Sequence, residues 1–386
     1  MAKDKKDKKD KRETTENNML DYMAWRGDIP ISTDGLNEVD ALIFSTIAYL
    51  DLPDEARDHV MSLKEIADAL GQIPVEDRPE GPELIMDSAY ELIRQMADSK
   101  RFGDVTATGF VNEIDEELEM QFSAATFMLP GDITYVAFRG TDNALIGWKE
   151  DLSLSFMDEI PAQTEAASYA KKAFEGRSGS FYICGHSKGG NLALWAAAHL
   201  DASEKENLVA VYNNDGPGFS TDFLDRKEFL DIQDKVHSFI PESSIVGVLM
   251  DHDDYEIVSS SSKTVLQHNP FSWNVLGTEI VKSESRSRSG RTLDHTANAW
   301  IRSMSKEERE DFVDTLFEIL MAGDDVKTLG DLDKNKLKSI GAMQRKLREM
   351  EPERRKQLKE SLNKIFINDE TKSNSKLWRA LWGWKN

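Results

Sequence analysis

Residues 180–200 force a sheet-to-helix turn on this chain. The β-prone run Phe181, Tyr182, Ile183 and Cys184 passes through Gly185-His186-Ser187-Lys188-Gly189 into the alanine-rich stretch Asn191–Leu200. A turn that sharp crowds its own backbone, so Gly185 and Gly189 must lack side chains, while Ser187 at the apex is pushed outward. The Gly-x-Ser-x-Gly pattern alone is weak, but a strand before it and a helix after it are the context this turn requires. Ser187 is therefore the candidate nucleophile. The helix behind it offers backbone N–H groups and a positive dipole end to a developing oxyanion.

The surroundings extend this unit into a sheet. Strand patterns fall at Gln121–Leu129, Ile133–Phe138, Phe181–Cys184, Leu208–Tyr212 and Lys235–Ile240, with further strand expected at Asp254–Ser259 and Lys263–Gln267. Helical patterns fall between them at Gln163–Phe174 and Asn191–Leu200. Alternation of this kind predicts an α/β fold with a mostly parallel sheet and right-handed crossovers. Apolar residues at helical spacing over Leu36–Leu50 and Leu84–Met96 predict packing helices before the sheet, and similar patterns at Lys306–Met321 and Lys334–Ile365 predict helices after it. The expected division is a charged tail over 1–18, a main domain over 19–290, and a C-terminal helical region over 291–386. The polar segment Ser283–Arg291 reads as an exposed, flexible connection.

Composition narrows the partners. A formal net charge of −22 disfavours broad nucleic-acid binding, and the 39% hydrophobic residues suffice for a core. The lone Cys184 permits neither an internal disulfide nor a cysteine zinc site. No His-Glu-x-x-His pattern occurs, and Asp251-His252-Asp253-Asp254 lacks the glycine and spacing of a calcium loop, so no metal or cofactor is expected. No secretory signal opens the sequence and no run of about 18 apolar residues appears, which makes the cytoplasm the expected location. The stretch Leu377–Trp384 carries Trp378, Trp382 and Trp384. Docking on the protein's own surface is the preferred reading, with partner binding and peripheral membrane contact as alternatives.

Val136-Ala137-Phe138-Arg139-Gly140-Thr141, together with Gly185-His186-Ser187-Lys188-Gly189-Gly190, resembles the class-3 lipases, and Trp148 and Asp151 resemble their Trp-x-x-Asp stretch. Across most of the chain Leu20–Asp28, Asn214–Phe219 and Gln267–Trp273 resemble a bacterial lipase-like family, a domain of unknown function. The resemblance implies an α/β-hydrolase fold with an oxyanion hole from Thr141 and the backbone N–H of Lys188. Lys188 stands where those lipases commonly carry leucine, which predicts a more polar mouth.

A serine nucleophile needs a base and an acid that orients it. His186 belongs to the turn, His199 to the helix behind it, and His59 and His237 fit helix and strand positions. Of His252, His268 and His295, His268 is preferred because it follows a strand-like run and opens a loop closed by Pro270, Phe271 and Trp273. Asp215, after the strand Leu208–Tyr212, is the preferred acid, with Glu242 and Asp251 as alternatives. The expected activity is hydrolysis of a small-molecule or lipid carboxylic ester through an acyl-enzyme. A catalytically silent binding or scaffolding module and an acyltransferase using the same nucleophile are the competing readings.

Overall fold

The computed structural model describes residues 17–365 except 80, 288–289, 292–297, 300, 324–325 and 335. Of the expected tail over 1–18, residues 1–16 lie outside the described residues, as do His295 and the Trp-rich stretch after 365. Asn17 and Asn18 are held in the fold, the Asn17 carbonyl accepting the Val275 N–H at 2.8 Å and Asn18 capping the first helix.

Eight strands pair in sequence order: β1 Met61–Ser62, β2 Thr106–Asp115, β3 Met120–Leu129, β4 Ile133–Phe138, β5 Ser180–His186, β6 Leu208–Asn214, β7 Val236–Pro241 and β8 Glu256–Val258. Pairs up to β3–β4 are antiparallel; those from β4–β5 to β7–β8 are parallel. The fold is of the α/β-hydrolase class. An unreversed strand order has a consequence for the helices. Right-handed crossovers that always step the same way leave their helices on one face of the sheet, so the other face needs a separate cover.

The helices that frame the sheet and the site include α1 Met19–Arg26, α2 Glu38–Ile47, α3 Glu83–Asp98, α4 Leu145–Ser153, α5 Pro161–Phe174, α6 Lys188–Ala198, α7 Lys306–Leu320, α8 Lys336–Glu349 and α9 Pro352–Ile365. The crossover helices α5 and α6 cover one face with Ala166, Ala170, Leu192, Ala193 and Ala196, against Val136, Phe138, Phe181 and Ile183. The small side chains of α6 let it approach the sheet closely. The opposite face carries Tyr135, Ala137, Cys184 and Tyr212, and α1, α2 and α3 close it with Tyr22, Leu42, Phe44, Ile47 and Ile93. These N-terminal helices are therefore half of the core. From Val39 to Ile47 every residue of α2 is buried.

A buried ion pair pins that layer. Asp40 and Arg101 are both fully buried, with Arg101 Nε donating to Asp40 Oδ1 at 2.8 Å and Arg101 Nη2 bonding to Asp40 Oδ2. Tyr22 Oη donates to Asp40 Oδ1 at 2.9 Å, so both carboxylate oxygens have donors. α7, α8 and α9 form a third cluster through Phe312, Val313, Leu316, Met343, Leu358 and Leu362, which reaches α4 through Leu145.

Two expectations need correction. Lys263–Gln267 is not strand: Thr264–His268 forms a 3₁₀ turn. Ser283–Ser287 is tied down, with Arg286 buried and donating through Nη2 to the Ser244 carbonyl at 2.8 Å, and the Ser287 N–H donating to the Glu242 carbonyl at 3.0 Å.

Candidate active site

The turn after β5 takes the strained geometry its sequence demands. Ser187 sits at φ 57° and ψ −134°, a region that favours glycine, immediately before α6. Three glycines make room for it. A Cβ on Gly185 would lie 2.0 Å from the Gly189 carbonyl oxygen, one on Gly189 2.2 Å from that of Phe138, and one on Gly140 2.8 Å from Ser187 Cβ. The loop after β4 is thus packed directly on the turn that carries the serine. The Ser187 N–H donates to the Asn214 carbonyl at 3.0 Å, tying the turn to the end of β6.

At that strand end lies Asp215, fully buried and at φ 56°. Its N–H donates to the Phe239 carbonyl at 2.8 Å, and the Asn213 side chain accepts the Gly216 N–H at 2.9 Å, so the loop is held on both sides of the carboxylate. Asp215 Oδ2 accepts from His268 Nδ1 at 2.7 Å. Oδ1 faces Gly247, where a Cβ would intrude to 2.2 Å. The His268 side chain is 30% exposed, open to a reactant while its partner is not. Among the described residues no hydrogen bond joins Ser187 Oγ to the His268 ring. The alternative acids stand elsewhere: Glu242 accepts from Ser283 Oγ, and Asp251 takes Thr221 Oγ1 at 2.9 Å and lies 3.7 Å from Arg302.

The His268 loop is anchored from below. Trp273 Nε1 donates to the Gln267 carbonyl at 2.9 Å, and Gln267 Oε1 accepts the Ser243 N–H at 2.7 Å. His186 Nε2 lies 2.8 Å from the His268 carbonyl oxygen, and its Nδ1 lies 2.9 Å from Tyr49 Oη. A carbonyl can only accept, so Nε2 carries the His186 proton and Nδ1 accepts from the tyrosine. Burial, and secondly the neighbouring His268, hold the His186 imidazole well below its ordinary pKa and therefore neutral. Burial likewise pushes the Tyr49 phenol up, keeping it a donor.

Thr141 Oγ1, in the loop after β4, donates to Asp151 Oδ1 at 2.8 Å. Burial raises the Asp151 carboxyl to about 6 against the opposing pull of Lys188 and the Thr141 hydrogen bond. As first residue of α6, Lys188 has a backbone N–H with no acceptor inside the helix. Its side chain corrects the expected polar mouth. Lys188 is 1% exposed, and Nζ turns inward to Glu150 Oε2 at 2.7 Å and the Gln121 carbonyl at 2.9 Å. Glu150 also accepts the Gln121 N–H at 3.1 Å and the Ala162 N–H at 3.0 Å, so the buried pair is fully engaged. Sequence reasoning passed over Glu150, Tyr49 and the anchoring role of His186. A lysine opening an otherwise apolar helix was the available signal, since a buried ammonium requires a carboxylate nearby.

Among the described residues no group of three or more metal-ligating side chains occurs, and no helix is long and apolar enough to cross a membrane.

Comparison with solved structures gives a crystal structure of M37 lipase, 14% identical, with a TM-score of 0.33, covering 88% of this chain and 97% of that one. No curated protein matches the chain. The model of the Mbeg1-like family matches residues 96–318, a span from the end of α3 through the strands, the serine turn and His268 into α7, and the chain belongs to that family.

Proposed function

We propose that this chain is a serine hydrolase of carboxylic esters acting through an acyl-enzyme. Ser187 attacks the ester carbonyl, His268 takes its proton through Nε2, and Asp215 holds the imidazole with Nδ1–H directed at the carboxylate. The backbone N–H groups of Lys188 and Thr141 receive the oxyanion, with the Thr141 side chain fixed by Asp151. The histidine then protonates the leaving alcohol, and water releases the acid by the reverse path.

The observation that carries this reading is the 2.7 Å contact of His268 Nδ1 with a buried Asp215 beside a serine at φ 57°. A buried carboxylate given to one imidazole nitrogen leaves the other as the basic atom, and the strained turn presents the only hydroxyl on that apex. Hydrogen bonds between nucleophile and base are commonly long before substrate arrives, and close in the Michaelis complex. The test is labelling of the wild type and Ser187→Ala by a fluorophosphonate, read by intact mass. One adduct on the wild type and none on the variant is expected; equal labelling of both overturns the assignment of Ser187.

A further inference from the structure

The start of α4 lacks the side-chain cap that a helix N-terminus favours. Its N-cap residue is Ala144, yet α4 supplies both the Asp151 that fixes Thr141 and the Glu150 that pairs with Lys188. An acceptor for this helix start comes from the C-terminal region instead. The Lys327 carbonyl accepts the Leu145 N–H at 2.8 Å, and the Leu329 N–H donates to the Asn143 carbonyl at 2.9 Å. Ala144 and Thr328 thereby pair as an antiparallel bridge. The loop that carries Thr141 is thus joined to a segment that follows α7.

From Arg139 to Asn143 that loop has no helix or strand of its own, so what grips it sets its shape. At its first residue, Arg139 Nη1 lies 3.3 Å from Asp51 Oδ1 and Nη2 donates to Asn112 Oδ1 at 2.8 Å. At its far end, Asn143 Nδ2 donates to the Gly81 carbonyl at 2.8 Å, and the Asn143 carbonyl belongs to the bridge. Thr141 lies between these two grips. The bridging segment is itself anchored. Val326 and Leu332, on either side of it, pack on the cluster that contains Phe312, Val313 and Leu316 of α7. Asp331 Oδ2 accepts the Lys327 and Thr328 N–H groups at 3.1 and 2.8 Å, closing the turn into the short helix Leu329–Lys334. A side-chain tie joins the same two bodies, with Lys149 Nζ of α4 lying 2.8 Å from Asp314 of α7.

We propose that Lys327–Leu329 is a positioning strap for the oxyanion-binding loop. By holding Asn143 and the first residue of α4, it keeps the Thr141 N–H and its Asp151 support in the register that the tetrahedral intermediate at Ser187 requires. Displacement of such a donor by about 1 Å can cost on the order of a hundredfold in rate. The C-terminal helices therefore act on the chemical step through two backbone hydrogen bonds. This role rests on the hydrolase reading of Ser187.

The test uses the full chain and a proline. Leu329 is the first residue of its helix, a position where proline is tolerated, and it is 40% exposed. Leu329→Pro removes the N–H given to Asn143 and sets a ring against that carbonyl, whereas Leu329→Ala keeps the N–H. Each variant is labelled with a fluorophosphonate, read by intact mass for rate and end point, and assayed on p-nitrophenyl butyrate. Leu329→Pro is expected to reach the wild-type end point roughly tenfold or more slowly, with kcat down by a similar factor and KM within about twofold. Leu329→Ala is expected to match the wild type. Asp331→Ala, which loosens the strap without a proline, is expected to slow labelling as well and decides the outcome if the proline variant labels incompletely. A wild-type rate in Asp331→Ala, or in a fully labelled Leu329→Pro, overturns the strap. Equal slowing by alanine and proline at 329 overturns it too, because alanine retains the hydrogen bond. A wild type that takes no label at Ser187 overturns the hydrolase reading itself, and the strap with it.

Discussion

Tyr49, just beyond α2, is hydrogen-bonded to His186 Nδ1 at 2.9 Å, and the opposite nitrogen of that imidazole holds the His268 carbonyl at 2.8 Å. The N-terminal helical layer therefore reaches the candidate base through two hydrogen bonds. The relay fixes the backbone of the His268 loop, whereas Asp215 fixes the ring.

Tyr49→Phe leaves a buried imidazole nitrogen without its donor, which costs about 1–3 kcal/mol. Urea unfolding should show that loss. His186→Phe removes the anchor of the His268 carbonyl as well, and esterase kcat should fall roughly tenfold or more with little change in KM, the pattern of a misplaced base. An unchanged kcat would separate His186 from the positioning of His268.

Burial of Asp151 has a pH signature. With its carboxyl raised to about 6 in the fold, against about 3.9 for an ordinary aspartate, the native state binds the proton more tightly than the unfolded chain does. Its contribution to stability is therefore greatest at low pH and is lost as pH rises from about 4 through about 6. The gap of roughly two pH units corresponds to roughly 3 kcal/mol. Asp151→Asn removes the titration. Unfolding free energies measured from pH 4 to pH 7 should show the wild type losing stability relative to the variant as pH rises; a constant difference would contradict the assignment.

Lys188→Leu leaves Glu150 buried without its cation. Breaking one side of such a pair costs about 3–5 kcal/mol, so the variant should unfold at markedly lower urea. Because Glu150 and Asp151 are adjacent on α4, the substitution should also loosen Thr141. A thermal shift confined to a fraction of a degree would show that the pair is not engaged in solution.

The central fold was legible because its periodicities coincide with its burial. β4 falls at Ile133–Phe138 as its sequence predicts, and the two β-prone runs flanking α6 gain only the residues that continue their ladders. β2 was not legible. Its sequence is half polar and interrupted by Gly109, which takes φ 65° where the ladder to β3 slips, so pairing with β3 defines it where the pattern does not. Lys263–Gln267 reads as strand by composition, yet the Trp273 indole donates across the loop to the Gln267 carbonyl and Thr264–His268 curls into a 3₁₀ turn. His268 stands behind a run that reads as strand but forms that 3₁₀ turn, whereas Asp215 was readable as a candidate from topology, since it follows β6. The inward turn of Lys188 was not, because its partner Glu150 is contributed by α4, 38 residues away in sequence.

Strain at Ser187 gives the sharpest stability prediction. Serine at φ 57° and ψ −134° occupies backbone space that residues with a Cβ avoid, at a cost of order 1–3 kcal/mol. Glycine meets no such penalty there, whereas at ordinary positions it is less stable than alanine by about 0.5–1 kcal/mol. Ser187→Gly should therefore be more stable than Ser187→Ala by about 1–2 kcal/mol in urea unfolding, reversing the usual order. Both variants should be inert to fluorophosphonate. If alanine proves the more stable, the turn relaxes in solution and the serine is not held in the strained apex on which its proposed role as nucleophile depends.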